Sequence, residues 1–246
     1  RMGDVTTPSR ALCERHVIAV DNHWNHVYKS TTCPVIRREA ALGGLANILF
    51  WLGWLRSGEC FGLSWEDIES VQHHRHAEFE LPPGLGFVTL LLAHETKTTR
   101  THRIDLIIAH HTNAGLQPLR WLRRARSLCP DSNSSNLIFR HANGEPWTSL
   151  YFRKQLLFPV LRRLKSNGDP ALSRLTIEIA FWSLHCYRQG ARTHVSQRLK
   201  GKTRKASKEQ IYEHARWRLS SRNLPIDAIY REWSYKDRIK LTRLFM

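Results

Sequence analysis

Between Leu45 and Leu55 the chain reads Leu-Ala-Asn-Ile-Leu-Phe-Trp-Leu-Gly-Trp-Leu, its longest apolar run. A bilayer-spanning helix needs about 20 such residues, so this run is too short to cross a membrane and reads as a buried helix. Small and apolar residues carry the helical pattern from Arg37 to Leu55, with Pro34 ahead of it. The other elements have to pack around this rod.

Those elements are mainly helical. Leu116 to Leu128, Thr148 to Leu164, Thr176 to Trp182 and Leu184 to Leu199 all read as helices, the third ending against the break before Leu184. Asn143-Gly144 is a turn signal, and Asn167-Gly168-Asp169-Pro170 stops the second of these helices. Asp67-Ile68-Glu69 is a first strand, and Phe87 to Ala93 and His102 to Ile108 are two more, rich in β-branched and large apolar residues. A polar hairpin turn from Glu95 to Thr101 joins the last two, and Gln72 to Gly86 is a His- and Pro-rich loop. Residues 1–34 are polar and weakly patterned, a remnant or linker. The tail from Glu209 to Met246 suggests two or three short helices. The expected fold is mainly α with a small antiparallel sheet.

Charge narrows the partner. Lys and Arg total 38 against 21 acidic residues, a formal net charge of +17. Each phosphate neutralised releases condensed counterions, so such an excess favours a polyanion. The basic residues are spread through core-forming sequence rather than gathered beside a membrane anchor, which favours nucleic acid over lipid. The five cysteines form no C-x-x-C pair and the opening residues show no signal-peptide pattern, so the cysteines read as reduced thiols of an intracellular protein. The 14 histidines include no H-E-x-x-H and no paired Cys/His spacing, so no metal is expected. No Gly-rich phosphate loop is present, so no nucleotide cofactor is expected either.

Four short constellations carry chemistry. The apolar helix runs into Arg56-Ser57-Gly58-Glu59, then Leu63-Ser64-Trp65-Glu66-Asp67-Ile68 leads into the first strand. A guanidinium stays charged at any biological pH and clamps two phosphate oxygens with its planar fork, and Glu59 stands where it can support Arg56. His185-Cys186-Tyr187-Arg188 places a His and an Arg one turn apart on one helix face. Lys97 lies in the hairpin turn, where a flexible ammonium can act as a general acid. Tyr230 lies near the end of a short helix, within Pro225-Ile226-Asp227-Ala228-Ile229-Tyr230-Arg231. Taken singly, each has an ordinary alternative: a surface arginine, a core histidine, a solvated turn lysine, a core tyrosine.

In this order, over roughly Val35 to Arg231, they resemble the tyrosine recombinase (phage integrase) family. The resemblance implies a catalytic domain over residues 35–246 that cleaves and rejoins double-stranded DNA through a 3′-phosphotyrosyl link, without metal or ATP. Arg56 and Arg188 would bind the scissile phosphate, His185 would assist proton transfer, and Lys97 would protonate the leaving 5′-oxygen. Tyr230 would be the nucleophile, with Tyr235 and then Tyr212 as alternatives. Either His214 or Trp217 would hydrogen-bond the phosphate, and the Arg216-Trp217 pair is similar to recombinases of eukaryotic mobile elements.

The stretch from Arg188 to Tyr230 is longer than the family pattern, with extra residues in Lys200 to Lys208 and Leu219 to Pro225. The resemblance also implies a homo-tetramer on paired DNA sites, and a longer protein extending upstream of Arg1 with a further DNA-clamping domain. Its location would be with DNA, in the nucleus of a eukaryote or the cytoplasm and nucleoid of a bacterium. Arg120, Arg123 and Arg124, with Lys200 and Lys202, are DNA-backbone candidates or else a solvated face. The tail 235–246 would dock onto a neighbouring protomer or cover the chain's own core. A type IB topoisomerase and a catalytically inactive DNA-binding module of the same fold are the alternative functions.

Overall fold

The computed structural model describes residues 11–70, 87–92, 104–112, 114–129, 136–173, 179 and 182–198. They are mainly helical. Helix α1 spans Glu14–Ser30, α2 Pro34–Leu52, α3 Ser57–Phe61 and α4 Pro118–Leu128. After these come α5 (Ser149–Tyr151), a π-helical stretch Phe152–Leu157, α6 (Phe158–Ser166) and α7 (His185–Arg198). Strands β1 (Ile68–Ser70), β2 (Phe87–Leu92) and β3 (Ile104–Ala109) pair antiparallel in that order, with Ile68 opposite Leu90 and Leu90 opposite Leu106. No helix among the described residues is long and apolar enough to cross a membrane.

The centre of the fold is α2. Proline at its amino end starts it without losing an internal hydrogen bond, and every residue from Ala40 to Leu52 is buried. Its neighbours cover it from different sides. Trp24 of α1 lies over Gly43, and Trp121 of α4 lies over Gly44, where an added Cβ would meet the indole at 2.6 Å. At the carboxyl end, Phe50 packs on Phe61 of α3, Phe152 and Tyr187 of α7, with ring centroids 5.5, 5.8 and 5.6 Å away. Leu106 and Ile108 bring β3 to the same core.

Helix α1 falls in the stretch that polarity suggested was a remnant or linker. Its buried side comprises His16, Val17, Ala19, Val20, Asp21 and Trp24. Two of those six are polar, which breaks the apolar stripe that pattern reading relies on. The Thr148–Leu164 segment is helical as expected, but not uniformly so. Pro159 has no N–H to donate, and the wider π turn just before it lets the helix continue past the proline. Thr148 starts this segment, its hydroxyl oxygen accepting from the Tyr151 N–H at 3.1 Å.

The close approach at Gly44 sets a test. Glycine to alanine inside a helix ordinarily gains about 0.5–1 kcal/mol. Gly44→Ala reverses that sign, because Trp121 is pinned by a hydrogen bond and cannot retreat, and the overpacking costs about 1–3 kcal/mol in urea unfolding. Gly58→Ala, where nothing lies within 4 Å of the new methyl, leaves stability unchanged or raises it. Equal effects at the two sites would contradict this packing.

Candidate active site

The carboxyl end of α2 delivers Arg56. Gly53 caps the helix, and Trp54 then adopts a left-handed backbone with φ of 48°. An L residue pays about 1–2 kcal/mol for that conformation. Burial of the whole indole offsets it, since Trp54 is fully enclosed. The turn sends Leu55 back into the core and leaves Arg56 as the residue that caps α3. Its side chain is 34% exposed.

Glu59 holds Arg56 twice. The Arg56 backbone N–H donates to Glu59 Oε2 at 2.7 Å, and the guanidinium Nη1 donates to Oε1 at 2.8 Å. One carboxylate thus fixes both the backbone and the rotamer of the arginine, which reaches solvent already oriented. The downstream motif has a structural role. Leu63 and Trp65 are buried, the Trp65 indole donating to the Cys129 carbonyl at 2.7 Å. Asp67 Oδ2 accepts from both the backbone N–H and the hydroxyl of Ser64, each at 2.8 Å, which closes the turn before β1.

Helix α7 begins at His185, which is exposed, whereas Arg188 one turn on is only 3% exposed. The pair shares a helix but not an environment: an imidazole open to water, and a guanidinium held inside. Between them the Tyr187 phenol donates to Asn47 Oδ1 at 2.8 Å. Burial holds that phenol well above the usual tyrosine range, and the neighbouring thiols Cys186 and Cys60 add to the effect. Cys60 belongs to α3, and its own thiol is pushed up by burial and then by the Glu59 charge. The elements carrying Arg56 and Arg188 therefore adjoin at the end of α2, with the Phe50 ring touching both. The Tyr151 phenol donates to Glu39 at 2.8 Å, and burial together with that carboxylate raises it to about 12. Both of these phenols serve as structural donors.

Lys97, His214, Trp217, Tyr230, Lys200 and Lys202 lie outside the described residues, as do Tyr212, Tyr235 and the tail 235–246. The α4 arginines divide. Arg120 donates to Asp21 Oδ2 at 3.0 Å, and the Trp121 indole donates to Oδ1 of the same carboxylate at 2.5 Å. Arg124 donates to Asn25 Oδ1 at 2.9 Å and lies 4.1 Å over the Tyr28 ring. These two stitch α4 to α1, while Arg123 is exposed. Spacing in sequence could not separate the three. Asn47 and Tyr187 were not among the expected site residues. The signal for Asn47 was its being the one polar side chain in the Leu45–Leu55 run.

No protein-family model matches the chain, and no curated protein matches it.

The buried Asp21 yields a pH test. Burial raises its pKa, and the bonds from Trp121 and Arg120 only partly counter that. A carboxylate whose pKa is higher in the fold than in the unfolded chain contributes stability below the unfolded value, and that contribution fades as pH rises through the folded one. Asp21→Asn removes this dependence. Its stability relative to wild type, from urea unfolding, should improve as pH climbs out of the ordinary carboxylate range. A relative decline over the same interval would reverse the assigned sign.

Proposed function

We propose that the chain is the catalytic domain of a tyrosine recombinase, which cuts and reseals duplex DNA through a covalent phosphotyrosine. The observation that carries this reading is Arg56. It emerges at the end of a buried helix, oriented through two bonds to Glu59, beside the helix that bears His185 and Arg188. An arginine whose rotamer is already fixed loses less entropy on gripping a phosphate, and its fork suits two non-bridging oxygens.

The charge distribution supports the polyanion. Asp21, Glu39, Glu59, Glu66, Asp67 and Asp169 each accept a hydrogen bond from within the protein. Meanwhile Arg15, Arg123, Arg126, Arg162, Arg163 and Arg192 are exposed. Asp21, Glu39, Glu59 and Asp67 are thus turned to internal work, while these arginines face outward alongside the carboxylates Glu66 and Glu145.

In the proposed reaction Arg56 and Arg188 clamp the scissile phosphate, and His214 or Trp217 adds a hydrogen bond. The Tyr230 oxygen attacks phosphorus in line as the bond to the 5′-oxygen breaks, with His185 assisting removal of the phenol proton. Lys97 delivers a proton to the departing oxygen, leaving a 3′-phosphotyrosyl bond and a free 5′-hydroxyl. A free phenol has a pKa near 10, so the cationic cradle is what makes it reactive. The phosphotyrosyl link retains the energy of the broken phosphodiester, so rejoining needs no ATP. Two DNA sites held in a protein tetramer would let the hydroxyl of one duplex attack the other.

Single-turnover cleavage of a nicked suicide duplex tests the assignment. Arg56→Ala is expected to slow cleavage about 10²–10³-fold. Glu59→Ala, which keeps the arginine but frees its rotamer, should cost about tenfold. Tyr230→Phe should abolish it. Full cleavage by Tyr230→Phe would move the nucleophile to Tyr235 or Tyr212, and full cleavage by Arg56→Ala would end the reading. Relaxation of supercoils with no strand exchange would assign the chain to topoisomerase chemistry.

Affinity gives a second test. Arg123→Ala should reduce the slope of log Kd against log salt by about 1, as one lost phosphate contact requires. An unchanged slope would remove Arg123 from the DNA interface.

A further inference from the structure

Two buried polar side chains of the helical core form a chain that crosses three helices. Tyr187, 1% exposed, donates its phenol O–H to Asn47 Oδ1 at 2.8 Å. Asn47, 0% exposed, donates its Nδ2–H to the Val17 carbonyl at 3.1 Å. Helices α7, α2 and α1 are thereby tied at one level.

The α7 interface also holds His194, whose Nε2 stands 3.5 Å from Glu14 Oε1 and whose ring lies 5.8 Å from that of Trp51. Its buried residues include the small Cys186, Gly190 and Ala191. The Leu12 N–H donates to the Cys186 carbonyl at 3.1 Å, and the Leu12 carbonyl stands where a Cβ on Gly190 would project. Dispersion between the small groups is weak per contact and tolerates sliding or rotation, so the register of the first turn falls to its directional contacts. A buried hydrogen bond tolerates neither, since it weakens steeply with angle and leaves a desolvated polar group when broken. Arg188 follows Tyr187 directly, so any shift of this first turn carries the guanidinium with it.

We propose that the Tyr187–Asn47–Val17 hydrogen-bond chain sets the register of α7 and thereby positions Arg188 for the scissile phosphate. The inference rests on the reading of Arg188 as a phosphate ligand given above. Tyr187 is a positioning residue: enclosed beneath the site, it acts on the reaction only through the helix. Displacing a catalytic group by an ångström can cost about a hundredfold in rate.

The test compares Tyr187→Phe, Asn47→Leu and the double variant with wild type. Tyr187→Phe alone strands the Asn47 carbonyl in an apolar core. The double variant removes both polar groups and refills the space, so its urea midpoint should return towards wild type. Single-turnover cleavage of the suicide duplex should nevertheless stay about ten- to a hundredfold slow with DNA affinity unchanged. Amides in the first turn of α7 should exchange with solvent faster in all three variants. A double variant with both wild-type stability and wild-type cleavage would overturn the proposal, because the other contacts of α7 would then set the register. Unaltered exchange in α7 would overturn it whether or not DNA is cut. If exchange responds but wild-type protein never links to DNA, the register stands and the assignment of Arg188 to phosphate falls.

Discussion

A helix with no polar face has to be covered on every side, and that requirement organises this protein. Helix α2 is buried throughout its last thirteen residues, from Ala40 to Leu52. Two consecutive glycines let tryptophans from α1 and α4 rest on its backbone, and a tilted cluster of aromatic rings closes its carboxyl end. The chain leaves this end through a strained Trp54, held there by the burial of its ring. Arg56 and Glu59 follow directly from that exit.

Two buried polar groups, Asp21 and Asn47, join elements from distant parts of the chain. Asp21 gathers Arg120 and the Trp121 indole, and Asn47 links Tyr187 to the Val17 carbonyl. A buried carboxylate or amide is costly unless satisfied, and once satisfied it specifies one arrangement where apolar packing would accept several. On the surface, Arg15, Arg123, Arg126, Arg162, Arg163 and Arg192 are exposed, while Asp21, Glu39, Glu59 and Asp67 are committed to caps and internal bonds.

Much of this was legible from sequence because the signals were local. The apolar run, the three strands and the helices at Pro118–Leu128 and His185–Arg198 follow from periodicity and from turn residues at their ends. Helix α1 was obscured because His16 and Asp21 occupy its buried side, packed against partners 100 or more residues away, Trp182 and Trp121. Arg120, Arg123 and Arg124 looked alike in sequence, yet two are bound into the α1–α4 seam. His185 and Arg188 share a helix turn, as the spacing implied, but sequence did not reveal that one faces water while the other is enclosed. Arg56 with Glu59 was visible as a pair, and the structure adds the double bond pattern that makes the pairing rigid.

The central claim is that a cradle of cationic side chains activates a phenol of this chain against a phosphodiester. Its most direct measurement is mass spectrometry of the peptide left attached to DNA after incubation with a nicked cognate duplex in excess EDTA. The account predicts a 3′-phosphoryl adduct on the peptide containing Tyr230, formed in the absence of divalent metal. An adduct that requires magnesium, or no adduct at all on a duplex the protein binds, would contradict it.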